Sequence, residues 1–152
     1  MSGVSTEQYS PGLEGVIASE TAIANIEGKD GAGGLEYRGY RIEDLAGHVS
    51  YEETAFLLLH GDLPNRAQLR EFDGRLRAAR AIPEALIELF ARSPGHIHPM
   101  DVLRSSVSVL AHFDPDVNAP PTDHAANVRK AERMVAQMAS AVAIREIGRA
   151  HV

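Results

Sequence analysis

Residues 50–64 read Ser-Tyr-Glu-Glu-Thr-Ala-Phe-Leu-Leu-Leu-His-Gly-Asp-Leu-Pro and carry the clearest helix signal in the chain. Ser50 precedes Glu53 by three positions, which is the capping-box spacing that opens a helix. Gly61 then supplies a stop, because glycine tolerates the left-handed backbone that ends many helices. The stretch therefore predicts a helix that begins after Ser50 and ends at His60.

The centre of this helix, Phe56-Leu57-Leu58-Leu59, is apolar on every side. A helix that is apolar all round must be buried all round. Burial of that kind is typical of the interior of a larger protein. We therefore expect the 152 residues to be part of a larger molecule.

Helical signals continue on both sides of this stretch. Residues 42–46 are expected to form one short turn of helix, and Asn65 can cap the helix that follows the stop. Acidic residues share that next helix and no aromatic side chains interleave, so we interpret its arginines as a solvated face and not as a nucleic-acid stripe. Its apolar stripe consists of Leu69, Phe72, Leu76 and Ala79, and the flanking arginines are Arg66, Arg70, Arg77 and Arg80.

The second half of the chain predicts three more helices. Pro83 begins a short helix that stops at Pro94, and Pro99 begins the next, since a proline suits the first helical position. Residues 114–123 are expected to form a loop, and a long helix should run over residues 125–146. The expected core-facing residues are Leu86, Leu89 and Phe90 in the first helix, Leu103, Val107 and Leu110 in the second, and Val128, Ala131, Val135, Met138 and Val142 in the third.

The N-terminal region differs, because it carries two short strand-like pieces around a glycine-rich turn. Residues 21–26 and 35–38 flank Gly28, Gly31, Gly33 and Gly34, which favours a β-hairpin. A phosphate loop is excluded here, because no Gly-Lys-Ser/Thr follows and no apolar strand leads into a helix. The predicted fold class is mainly α, multi-helical, with a small N-terminal β-hairpin.

Composition excludes several functional classes. The chain is 44% hydrophobic and 24% charged, which is ordinary for a globular domain and argues against disorder. The absence of cysteine excludes disulfides, thiolate metal sites and cysteine nucleophiles. A net charge of −6 argues against nucleic acid or anionic lipid as a partner. No apolar run is long enough to cross a membrane and residues 1–10 carry no signal peptide, so we expect a cytoplasmic protein.

The histidines and serines of the chain do not follow the spacing of known metal or nucleophile motifs. No His-x-x-x-His or His-Glu-x-x-His spacing occurs, so zinc is not expected, and we interpret His98 as a cap for the helix opened by Pro99. His60 ends a helix, where the carbonyl end of the helix dipole favours a ring N–H or a cation. No Gly-x-Ser-x-Gly elbow occurs either. The residues alone therefore predict no catalytic, cofactor or metal site in this chain.

Four blocks, in order, resemble the citrate synthase and 2-methylcitrate synthase family of bacteria and archaea. They are residues 12–23 (Gly-Leu-Glu-Gly-Val-Ile-Ala-Ser-Glu-Thr-Ala-Ile), 35–46 (Leu-Glu-Tyr-Arg-Gly-Tyr-Arg-Ile-Glu-Asp-Leu-Ala), 52–64 (Glu-Glu-Thr-Ala-Phe-Leu-Leu-Leu-His-Gly-Asp-Leu-Pro) and 98–104 (His-Pro-Met-Asp-Val-Leu-Arg). The resemblance covers the chain from Gly12 to about Arg145.

The resemblance implies a mostly helical two-domain fold that forms intimate homodimers. It implies a transferase that condenses acetyl-CoA or propionyl-CoA with oxaloacetate, with acyl-CoA as a substrate and no metal or redox cofactor. In that family an aspartate and two histidines carry the chemistry, and arginines hold the oxaloacetate carboxylates. Those residues should lie beyond Glu146, so no catalytic residue is carried over to this chain, which is expected to be inactive by itself.

The chain is expected to divide into three parts. Residues 1–11 form a flexible N-terminus, and residues 12–146 form the N-terminal part of the helical domain. Residues 147–152 are interpreted as an artefactual tail, because the chain end from Glu146 onward, Glu-Ile-Gly-Arg-Ala-His-Val, matches one frame of a common sequencing adapter. The alternative from another functional class is a non-enzymatic helical interaction or dimerisation domain derived from the same fold.

Overall fold

The computed structural model describes residue 17, residues 19–26 and residues 34–150, with the side chains of 148–150 excepted. The chain divides into two compact units, residues 1–48 and residues 49–152. The predicted flexible segment 1–11 lies outside the described residues, as do residues 151 and 152. Within the described part the chain forms six helices and three short strands, which confirms a mainly α fold class.

The first unit contains a small antiparallel sheet of three strands in the order β1-β2-β3. The strands are β1 (Ala24–Asn25), β2 (Glu36–Tyr37) and β3 (Tyr40–Arg41). In the first pair Ala24 faces Tyr37, and in the second Tyr37 faces Tyr40. β1 and β2 are the two arms of the predicted hairpin, and its glycines at 28, 31 and 33 lie outside the described residues. A short helix α1 (Ile42–Leu45) follows β3, as the sequence predicts.

The third strand is a feature that the sequence reading missed. β2 turns directly into β3 through Arg38 and Gly39, whose φ angles are 52° and 88°. Two successive positive φ values are typical of the tight turns that match the twist of paired strands. The sequence predicts residues 35–38 as one strand-like piece, but the strand covers only Glu36–Tyr37, because Arg38 already occupies the turn.

Over residues 49–150, the second unit forms five helices. Helix α6 packs against α3, α4 and α5, and α2 packs against α3. The longest helix is therefore the element on which three others are assembled. The bounds are α2 (Tyr51–His60), α3 (Arg66–Ala78), α4 (Glu84–Arg92), α5 (Pro99–His112) and α6 (His124–Ala150).

Local capping signals fix the ends of α2 as predicted. The Ser50 hydroxyl accepts a hydrogen bond from the Glu53 backbone N–H at 3.2 Å, and the Glu53 carboxylate accepts from the Ser50 N–H at 2.7 Å. Gly61 ends the helix with a φ of 100°, in the left-handed region. These interactions satisfy backbone groups that the helix itself leaves unpaired.

The starts of α3 and α5 are capped in the same way. Asn65 accepts from the backbone N–H groups of Ala67 and Gln68 at 2.9 and 3.0 Å. His98 accepts from the Met100 N–H through Nδ1 at 3.2 Å, which confirms its predicted capping role. Pro99 then occupies the first turn, where its missing N–H has no cost.

Two apolar clusters form the core of the second unit, and α6 contributes to both. Each fully buried large side chain contributes roughly 2 kcal/mol to stability. One cluster joins α2, α3 and α6, and its buried members are Phe56, Phe72, Leu76 and Ala136. The other joins α4, α5 and α6, and its buried members are Leu86, Phe90, Val102, Leu110 and Ala141.

The predicted core faces of α3 and α4 are confirmed at Phe72, Leu76, Leu86 and Phe90, and their remaining members are partly buried. The centres of the buried faces of α5 and α6 are displaced from the predicted ones. In α5 the fully buried positions are Val102, Ser106 and Leu110, and the expected Leu103 and Val107 are only partly buried. The Ser106 hydroxyl is tolerated there because it donates to the Val102 carbonyl at 2.8 Å.

In α6 the prediction that the stripe from Val128 to Val142 forms the centre of the buried face is wrong. Val142 is 43% exposed, and Val128, Ala131, Val135 and Met138 are only partly buried. Small and charged residues occupy the centre instead. Alanines let the helices approach closely, and the buried Glu132 and Arg145 are hydrogen-bonded to groups of the neighbouring helices. The buried positions of α6 are Ala126, Glu132, Ala136, Ala141 and Arg145.

Two glycine-to-alanine substitutions should change stability in opposite directions. A Cβ at Gly61 meets no atom within 4 Å, but the φ of 100° strains any L-residue, so Gly61→Ala should cost about 1 kcal/mol. Gly74, inside α3, also has open space, so Gly74→Ala should stabilise by about 0.5 to 1 kcal/mol. Urea unfolding of both variants measures this, and shifts of the same sign would contradict it.

Candidate functional site

The carboxylate of Glu132 on α6 is a nearly buried charged group of the second unit. Its side chain is only 9% exposed. The Arg75 guanidinium on α3 donates from Nε to Oε2 at 2.8 Å and from Nη2 to Oε1 at 3.0 Å. His60, the last residue of α2, lies with Nε2 3.0 Å from Oε1. One carboxylate therefore joins three helices.

Aromatic rings hold the two partners of Glu132 in place. The His60 ring stacks on Phe56 of its own helix, with centroids 4.3 Å apart. The ring of Phe72 on α3 makes T-shaped contacts with both, its centroid lying 5.4 Å from that of Phe56 and 6.0 Å from that of His60. The Arg75 guanidinium lies 5.6 Å from the centroid of Phe72. The ion cluster thus sits directly on the apolar cluster of α2, α3 and α6.

The electrostatics of this cluster indicate a structural role. Burial alone raises the pKa of Glu132, but the hydrogen bonds from Arg75 and His60 outweigh it and hold the pKa below its usual value. An ionised carboxylate only accepts hydrogen bonds, so the facing His60 Nε2 carries a proton. Since a general base needs a pKa near the working pH and a free approach, this carboxylate is unsuited to acid–base catalysis.

A second charge network attaches the loop between α5 and α6 to α6 itself. Arg133 donates to Asp114 at 2.7 and 2.8 Å and to Asp116 at 2.6 Å. Arg129 donates to the same Asp116 at 2.6 and 3.0 Å. The Arg129 and Arg133 guanidinium groups hold the pKa of Asp116 well below its usual range. The hydrogen bond from Arg133 likewise lowers the pKa of Asp114.

A further cation, Arg145, caps the end of α4 from α6. It is 5% exposed and donates to the carbonyl of Phe90 at 3.0 Å and to that of Pro94 at 3.3 Å. A positive charge at this place is favoured by the carbonyl end of the helix dipole. Its Nε finds no hydrogen-bond acceptor among the described residues.

The histidines and carboxylates do not assemble into a metal site in the part of the chain that the structure describes. No group of three or more His, Cys, Asp or Glu side chains there could hold a metal ion. His96 and His98 lie near each other in sequence, but the ring of His98 faces the start of α5. Among the described helices, none is both long and apolar enough to span a bilayer.

Sequence reasoning missed the partners of His60, although it placed the residue correctly at the end of α2. Arg75 lies beside Leu76 of the predicted stripe, but Arg70 lies beside Leu69 in the same way, so position next to the stripe did not single out Arg75. Glu132 lies four residues before the buried Ala136, which places both on the same face of α6. A carboxylate at helical spacing from alanines was the sequence signal that could have indicated its burial. That signal becomes readable only once the buried face of α6 is known.

Comparison with known proteins gives a consistent family. The family model described as citrate synthase, C-terminal domain, matches residues 12–151. A 2-methylcitrate synthase of Mycobacterium tuberculosis is 43% identical over 133 residues, which is 88% of this chain and 32% of the relative. A citrate synthase of Acidithiobacillus ferridurans is 41% identical over 141 residues, covering 91% of this chain and 36% of the relative.

Solved structures show the same fold. The citrate synthase from Pyrobaculum aerophilum superposes with a TM-score of 0.77 at 32% identity, covering 95% of this chain and 40% of that chain. The Thermoplasma acidophilum citrate synthase, solved with carboxymethyl coenzyme A and oxaloacetate, has a TM-score of 0.78 at 24% identity and supports the fold alone. The chain thus spans about a third of the length of the curated relatives.

Removing the carboxylate that joins the three helices should destabilise the second unit. Glu132→Gln leaves Arg75 and His60 without their charged acceptor, so we expect a loss of about 2 kcal/mol in the free energy of unfolding. Asp73→Asn is the matched control, because it breaks an exposed i, i+4 pair with Arg77 that solvent screens. Equal effects of the two substitutions in urea unfolding would contradict the assignment.

The lowered pKa of Glu132 also predicts a pH dependence. A carboxyl whose pKa is lower in the folded state stabilises the fold above its ordinary value, here 4.5, and loses that contribution as the pH falls through the folded value. The melting temperature should therefore fall on acidification below about pH 4.5, and less steeply in Glu132→Gln. Thermal unfolding between pH 7 and pH 3 measures this, and parallel curves would rule out the contribution.

Proposed function

The chain belongs to the citrate synthase family, and from this premise we propose that it is the N-terminal third of an acyltransferase. The intact enzyme would condense acetyl-CoA or propionyl-CoA with oxaloacetate, giving citrate or 2-methylcitrate and free CoA. The observation that carries the proposal is the 43% identity to a 2-methylcitrate synthase over 88% of this chain. A homodimer and a cytoplasmic location are part of the same proposal.

Within that enzyme, the role of this chain would be architectural. The condensation needs a base to remove a proton from the thioester methyl group, and donors to stabilise the enol and polarise the ketone. The best-organised charges of the described part already serve the fold: Glu132 joins three helices, Asp114 and Asp116 hold a loop, and Arg145 caps α4. We therefore assign no catalytic residue to this chain and place those residues in the rest of the enzyme.

The substrate of the intact enzyme would be decided outside this chain as well. Relatives named citrate synthase and relatives named 2-methylcitrate synthase match it at similar identity, 41% and 43%. The acyl group differs between the two reactions by one methylene. The wall of an acyl pocket elsewhere in the enzyme would discriminate between the two groups by size.

A chimera tests the proposed function. Residues 12–146 would replace the matching third of the M. tuberculosis 2-methylcitrate synthase, and free CoA thiol would be measured with oxaloacetate and either acyl-CoA. We expect the chimera to turn over and the 152-residue chain alone to release no thiol. The relative without its matching third is the negative control, and the unaltered relative is the positive control.

Two results would contradict the proposal. Thiol release by the pure 152-residue chain would place catalytic groups within it. A chimera that folds but shows no turnover with either acyl-CoA would favour the non-enzymatic interaction domain instead, since the helical scaffold would then be compatible with the family fold but not with its chemistry.

A further inference from the structure

We draw no further inference here: the strongest candidate, the groove between the start of α2 and the exposed face of α3 that Arg70 and Arg77 line, also presents the carboxylates of Glu52 and Asp73, so its charges balance among the described residues and nothing in the structure shows what ligand it would take.

Discussion

The carboxylate of Glu132 is the interaction on which the second unit depends. It is nearly buried, and it is shared by Arg75 of α3 and His60 of α2 at hydrogen-bond distances of 2.8 to 3.0 Å. A buried charge is tolerated only when its partners replace the water it has lost. The geometry of the three helices is thus constrained by one side chain as well as by the apolar cluster beneath it. Moving any of the helices α2, α3 or α6 would separate the Glu132 carboxylate from at least one of its hydrogen-bond donors.

Helix ends could be predicted from sequence because their signals are local. Ser50 with Glu53, Asn65 with its own first turn, and His98 before Pro99 all satisfy backbone N–H groups within three residues. Such interactions depend only on spacing, so a pattern in the sequence is enough to identify them. The fold class followed from the same signals, since four capped or proline-started helices and a long final helix leave little chain for a sheet.

The buried faces of α5 and α6 could not be predicted in the same way. Apolar periodicity ranks valine above alanine, but the centre of the α6 face is built from Ala126, Ala136 and Ala141. Glu132 lies on that face only because Arg75 reaches it from 57 residues earlier in the chain. The cluster of Glu132, Arg75 and His60 could not be predicted either, because its members are distant in sequence. The proposed function came from four blocks of family-like sequence and not from a predicted set of catalytic residues.

The long-range contacts of α6 also set an order in which the chain can fold. Glu132 meets His60 across 72 residues, and Arg145 meets the Phe90 carbonyl across 55. A chain made from its N-terminus therefore exposes α2, α3 and α4 well before their charged partners exist. During synthesis these three helices leave the ribosome with a histidine, an arginine and a helix end still facing water. They reach their final pairing only when α6 emerges and closes both loops at once.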